Sequence, residues 1–205
     1  MRIAFLGDSL TEGHPGESYL ARLRRLLPGD ELRNVGRGGD TVPALLARLE
    51  HTGLEPADLA LVWIGVNDAF LGDWYLSDLD GLPGSGAEPA GTHRLRPVYD
   101  RILDLVLSRA PLAVCVPPVL PDPFEQGGVA GRVAELAAMT ADAAAARAGR
   151  ARVCDLRPAF AAEPRPTGGF TIDGVHLNAR GADVVAAAFR DQIARLRDER
   201  PQPAR

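Results

Sequence analysis

The chain has 205 residues, 46% hydrophobic and 24% charged, with a formal net charge of -4. That length suits one domain, residues 1–200, able to bury a core without disulfide staples. Arginines and carboxylates are interspersed, which excludes the basic stripe of a nucleic-acid binder, and no apolar run reaches the length of a membrane span.

Met1-Arg2-Ile3 passes straight into an apolar run. The charged region, long apolar stretch and small-residue cleavage site of a secretory signal are missing, so a cytoplasmic location is expected. The two cysteines, Cys115 and Cys154, each sit in an apolar run. They read as buried thiols on strands that could be neighbours; a disulfide between them is disfavoured in a reducing compartment.

Ile3 to Leu6 reads as a strand that delivers Gly7-Asp8-Ser9 to its carboxyl end. In open α/β sheets that end is where ligands bind. Ser9 is therefore a candidate nucleophile, although a serine after a strand more often caps a turn or a helix. Tyr19, Leu20, Leu23, Leu26 and Leu27 then fall at helical spacing up to Pro28-Gly29. A second strand is expected over 31–35. It ends in a tight loop with three glycines, Gly36, Gly38 and Gly39. A helix beginning near Pro43 carries Val42, Leu45, Leu46 and Leu49, with Asp40 and Thr41 as available caps.

Leu59 to Val66 is the most hydrophobic strand and breaks at Gly65-Val66-Asn67-Asp68. Residues 69–96 change character, with five glycines, two prolines, Trp74 and Tyr75. Such a long connection reads as a functional lid or a disordered segment, with the two aromatics more readily packing the lid than forming a sugar or acyl platform. Helices are expected near 97–108 and 126–147, strands over 112–116 and 152–156, and an irregular stretch over 158–171. The last helix begins near Asn178. The tail, 201–205, reads as disordered. Five strands with interposed helices argue for a parallel sheet covered on both faces.

Acyl transfer from a serine needs a base, an acid to orient that base, and donors for the oxyanion. Of the four histidines, His176 has Asp173 three residues before it. In a turn or first helical turn, that spacing puts both side chains on one side. His14 is a rival by its closeness to Ser9, whereas His51 reads as a surface group and His93 falls in the irregular segment. Candidate donors are the backbone N–H groups of Ser9 and Gly39 and the side-chain amide of Asn67. Each has a blander explanation: Gly39 as a turn glycine, Asn67-Asp68 as a strand-ending turn, Asp173-x-x-His176 as an acidic turn before a helix. No P-loop, dinucleotide fingerprint or zinc spacing is present.

Gly7-Asp8-Ser9-Leu10, Asn34-x-Gly36-x-x-Gly39-Asp40, Gly65-x-Asn67-Asp68 and Asp173-x-x-His176 resemble, in order, the four blocks of the SGNH, or GDSL-type, hydrolase family. The blocks span residues 7 to 176. The resemblance implies a flavodoxin-like three-layer α/β/α sandwich with a five-stranded parallel sheet. It also implies ester hydrolysis with no cofactor and no metal, on a small-molecule ester. By position it makes Ser9 the nucleophile, His176 and Asp173 the rest of a triad, and Ser9, Gly39 and Asn67 the oxyanion hole. Asp8, Asp40, Thr41 and Asp68 take supporting roles. Thioesterase, lysophospholipase and carbohydrate deacetylase chemistry remain open at the same site, as does a catalytically silent binding protein of this fold.

Overall fold

In β1 (Arg2–Gly7) every residue from Ile3 onward is buried. A strand apolar on both faces must lie inside a sheet covered on both sides. The computed structural model, which describes residues 1–77, 91–124 and 127–199, places it there. β1 pairs in parallel with β2 (Glu31–Gly36) on one side and with β3 (Leu59–Trp63) on the other. β4 (Ala113–Val116) and β5 (Ala151–Val153) continue the sheet, giving the all-parallel order β2-β1-β3-β4-β5. The order reverses between β1 and β3. In doubly wound sheets that reversal opens a crevice beyond the strand ends.

Side chains alternate across the sheet, as strand geometry requires. Ala4, Leu6, Ala60, Val62 and Cys115 enter one core, against α3 (Val42–Thr52), α5 (Arg96–Leu107) and α6 (Val129–Ala145). Ile3, Phe5, Leu59, Leu61, Trp63, Val114 and Val116 enter the other, against α2 (Tyr19–Leu26), α7 (Arg157–Ala162) and α8 (Ala179–Asp198). The second core holds an aromatic cluster. Tyr19 packs edge-on to Phe189 with centroids 5.2 Å apart, and Trp63 meets Phe189 at 6.0 Å. The helices start where the local chemistry allows: the Ser18, Thr41 and Asn178 side chains accept from the N–H groups of Ala21, Ala44 and Gly181.

Several local expectations change. β3 stops at Trp63, and α4 (Val66–Ser77) occupies part of the segment expected to be irregular. Buried Val66 and Ala69 hold its first turn against the core, while a kink at Gly72 interrupts the helical period that would have announced it. A 3₁₀ turn, Thr92–Leu95, closes the same segment. The rest of the 69–96 expectation, residues 78–90 and the side chains of Trp74 and Tyr75, lies outside the described residues, as do residues 201–205 of the expected tail. A short helix, α7, replaces part of the expected loop at 158–171, with Phe160 as its buried anchor. β5 ends at Val153.

Cys154 N–H donates to the carbonyl of Cys115, so the two cysteines are backbone neighbours. Their side chains enter opposite cores, and both are free thiols. Burial pushes each thiol up to about 11. Among the described residues, no helix is long and apolar enough to cross a membrane.

The aromatic cluster packs Tyr19 of α2 and Phe189 of α8 against Trp63 of β3, a strand that borders the crevice. Replacing Phe189 with Ala is expected to lower unfolding free energy by about 3–5 kcal/mol, measured by denaturant titration.

Candidate active site

β1 runs out at Gly7, and the chain turns at once into α1 (Ser9–Glu12). The cap is Asp8, not Ser9: its carboxylate accepts from Leu10 N–H at 3.0 Å. Ser9 is thereby released from capping and sits in the first turn, 5% exposed. Its Oγ lies 3.0 Å from Nε2 of His176. Nδ1 of the same ring lies 2.6 Å from Oδ2 of Asp173. The other oxygen, Oδ1, accepts from the backbone N–H groups of Val175 and His176 at 3.0 and 2.8 Å. Asp173 thus fixes both the ring and the peptide that carries it. The carboxylate defines the tautomer, with Nδ1–H donating and Nε2 free to accept from the serine. Partial burial raises the Asp173 pKa, but the hydrogen bonds from the His176 ring and the two N–H groups outweigh it, leaving the carboxyl below its ordinary value.

His14, the rival base, is exposed in the loop that follows α1. That loop meets the His176 segment through its backbone. Glu17 N–H donates to the Leu177 carbonyl at 2.8 Å. The serine-bearing and histidine-bearing stretches are therefore stitched together next to the Ser9–His176 contact. His51 and His93 are exposed.

The glycine loop after β2 leans over Ser9. A Cβ at Gly36 would lie 2.4 Å from Glu12 N, so only glycine admits this approach of β2 to α1. A Cβ at Gly38 would lie 3.9 Å from the Ser9 Cβ. Gly39 follows with a φ of +79°. Asn67, in the first turn of α4, donates from Nδ2 to the Asp40 carbonyl at 2.8 Å. One amide hydrogen is spent on holding the glycine loop, which leaves the second to donate elsewhere. Gly39 and Asn67 are thus joined through Asp40.

Arg48 and Glu12, which carried no local signal, and Asn34 of the second motif block hold this loop. Arg48 donates through Nε and Nη2 to Oδ2 of Asp40 at 2.9 and 2.6 Å, and through Nη2 to the Val35 carbonyl. The Glu12 carboxylate accepts from Gly38 N–H at 2.8 Å. Asn34 donates from Nδ2 to the Glu12 carbonyl. For Arg48 and Glu12 only the residue type is visible in the sequence, since the partner is brought near by the fold.

Beneath the site lie the carboxyls of Asp8, Asp40 and Asp68, at 1%, 6% and 0% exposure. Asp68 accepts from Val42 N–H, the first turn of α3, at 3.0 and 3.2 Å. Burial pushes Asp8 up to about 7, with repulsion from Asp68 and Asp40 adding to it and the Leu10 N–H opposing it. Burial likewise pushes Asp68 up to about 7 against the Val42 N–H. Among the described residues, no group of three or more His, Cys, Asp or Glu side chains could hold a metal ion.

A carboxyl raised from 3.8 to about 7 binds more protons folded than unfolded between those values, so its contribution to stability falls as pH rises through that window. Asp68→Asn keeps an acceptor for Val42 N–H but removes the titration. The stability difference between about pH 5 and about pH 8, read from denaturant midpoints, is expected to be smaller in this variant than in the wild type.

Among solved structures, an α/β hydrolase enzyme from the metagenome of Lake Arreo, Spain, superposes with a TM-score of 0.72 at 22% identity, covering 94% of each chain. A member of the lipolytic protein G-D-S-L family from Veillonella parvula gives 0.73 at 18% identity, over 95% of this chain and 99% of that one. Axe2, an acetylxylan esterase from Geobacillus stearothermophilus, gives 0.72 at 21% identity, over 94% and 93%. These likenesses establish the shared fold. No curated protein matches the sequence. The model of the GDSL-like lipase/acylhydrolase family matches residues 5–184. With nearly the whole sheet and all four motif blocks inside that match, the chain belongs to the GDSL-like lipase/acylhydrolase family.

Proposed function

We propose that the protein is a serine esterase hydrolysing small or medium carboxylic esters through an acyl-enzyme on Ser9. One observation carries this reading: the unbroken chain from Ser9 Oγ to His176 Nε2 at 3.0 Å and from Nδ1 to Asp173 at 2.6 Å, at the carboxyl edge of the sheet. Such a chain is the usual way a weakly nucleophilic hydroxyl is activated.

In the first half-reaction Nε2 of His176 takes the Ser9 proton as Oγ bonds to the ester carbonyl carbon. The carbonyl electron pair moves onto oxygen. That oxyanion is met by the N–H groups of Ser9 and Gly39 and by the second amide hydrogen of Asn67. Asp173 stabilises the imidazolium and keeps its orientation. When the tetrahedral species collapses, the ester C–O bond breaks and His176 returns the proton to the departing alcohol. In the second half-reaction His176 takes a proton from water, the hydroxide bonds to the acyl carbon, and Ser9 leaves with its proton restored. Asp8, Asp40 and Asp68 act indirectly, by fixing α1, the glycine loop and the start of α3.

A second reading keeps the same chemistry but takes acetylated saccharides as substrate. It is supported by the description of Axe2 and of AlAXEase, another structure with this fold, as acetylxylan esterases. A panel of p-nitrophenyl esters of increasing acyl length, set beside acetylated xylo-oligosaccharides, separates the two readings.

Ser9→Ala is expected to leave the thermal midpoint close to wild type and to reduce p-nitrophenyl acetate hydrolysis to background. Turnover equal to wild type would remove Ser9 from the mechanism. Asn67→Ala is expected to lower kcat by about 10²- to 10³-fold, the usual effect of losing one oxyanion donor.

A further inference from the structure

Asp173 and His176 sit on a short closed turn that contains no helix or strand. Its stem is an isolated antiparallel bridge between Thr171 and Leu177. Ile172 N–H donates to the His176 carbonyl at 2.8 Å, and Asn178 N–H donates to the Phe170 carbonyl at 3.0 Å. These bonds close the turn on itself but do not fix it against the sheet.

Phe170 and Leu177 bury the stem in the core, and a polar anchor comes from Asp122, in the segment after β4. Asp122 is 8% exposed. Its carboxylate accepts from Phe170 N–H at 2.9 and 3.1 Å, from Thr171 N–H at 2.9 Å and from the Thr171 hydroxyl at 2.5 Å. Arg165 adds a contact at 3.2 Å. Gly169 packs so closely on this carboxylate that a Cβ there would lie 2.4 Å from Oδ1. Thr171 is itself buried, and its hydroxyl accepts from Gly174 N–H at 3.0 Å while donating to Asp122. One hydroxyl therefore links the anchor to the peptide immediately after Asp173. The carboxylate aims the hydroxyl proton, and only then does a lone pair face Gly174.

We infer that Asp122 and Thr171 are positioning residues for the proposed reaction, setting where His176 stands relative to Ser9. The inference rests on the esterase reading of the site. Neither residue touches the reacting atoms. The relay runs from the Asp122 carboxylate through the Thr171 hydroxyl to Gly174 N–H, and so to the turn holding Asp173 and His176. A displacement of the imidazole by about an ångström is enough to lower kcat by about 10²-fold, whereas substrate binding at the rim is unaffected.

Thr171→Val removes the hydroxyl at nearly constant volume, and Thr171→Ser restores it. Asp122→Asn keeps the side-chain shape but leaves one acceptor oxygen in place of two. With the amide nitrogen in the Oδ2 position, the Thr171 hydroxyl and the Thr171 N–H lose their shared acceptor, while the remaining oxygen still accepts from Phe170 N–H. Kinetics with p-nitrophenyl acetate are combined with the downfield proton NMR signal of the Nδ1–H to Asp173 hydrogen bond, recorded well below the melting temperature. Thr171→Val is expected to lower kcat by about 10- to 100-fold with KM within about twofold, and to weaken or lose the downfield signal. Asp122→Asn moves both in the same direction, and Thr171→Ser recovers both. A folded Thr171→Val protein with wild-type kcat and an unchanged signal would overturn the inference, as would a kcat loss that Thr171→Ser does not recover. If Thr171→Val does not fold, Asp122→Asn and Thr171→Ser decide in the same way. Failure of the esterase reading looks different, since Ser9→Ala would then match wild type in turnover while the NMR signal still reports the relay.

Discussion

The hydroxyl of Ser9 and the imidazole of His176 are 167 residues apart in the chain and 3.0 Å apart in space. Bonds on both sides of the crevice serve that closeness. A serine at the end of β1 is placed by the sheet. A histidine at the tip of an irregular turn is not, and has to be held by bonds from several directions. Asp173 holds it from within the turn, Glu17 N–H holds the adjoining Leu177 from the serine side, and Asp122 holds the stem from the segment after β4. The two elements that meet are thus fastened both to each other and to the sheet.

The side proposed to hold the oxyanion is built on the same plan with different chemistry. The glycine loop has few side chains of its own to pack, so its carbonyls and carboxyl are gripped by others. Arg48 binds Asp40 and the Val35 carbonyl, Asn67 binds the Asp40 carbonyl, and Glu12 binds Gly38 N–H. Three carboxyls are buried beneath the crevice, Asp8, Asp40 and Asp68. Burying the carboxyls of Asp8 and Asp68 is costly, and both respond with pKa values pushed up to about 7. The cost is accepted where the N–H groups at the starts of α1 and α3 need acceptors, and those are the helices that border the crevice.

The architecture was legible because β1 and β3 are buried on both faces and so appear as unbroken apolar runs. The candidate site was legible where a chemically suggestive residue follows such a run, as Ser9 and Asn67 do, or where two suggestive residues are close in sequence, as Asp173 and His176 are. Legibility failed in two ways. α4 was hidden because Gly72 breaks its period, and α7 because six residues are too few to show one. Asp122, Arg48 and Glu12 were hidden for another reason. Asp122 stands between two prolines and looks like an ordinary turn residue, yet the groups it binds are more than forty positions away. Partners at that separation leave no local pattern.

The central claim is that one hydroxyl, one imidazole and three donors converge on a single reacting carbon. A crystal structure of the protein after reaction with an alkyl fluorophosphonate tests this directly. The expected adduct has phosphorus bonded to Ser9 Oγ, with a phosphoryl oxygen within hydrogen-bond distance of the N–H groups of Ser9 and Gly39 and of Asn67 Nδ2. Phosphorus on another side chain, or a phosphoryl oxygen turned away from those three donors, would contradict it.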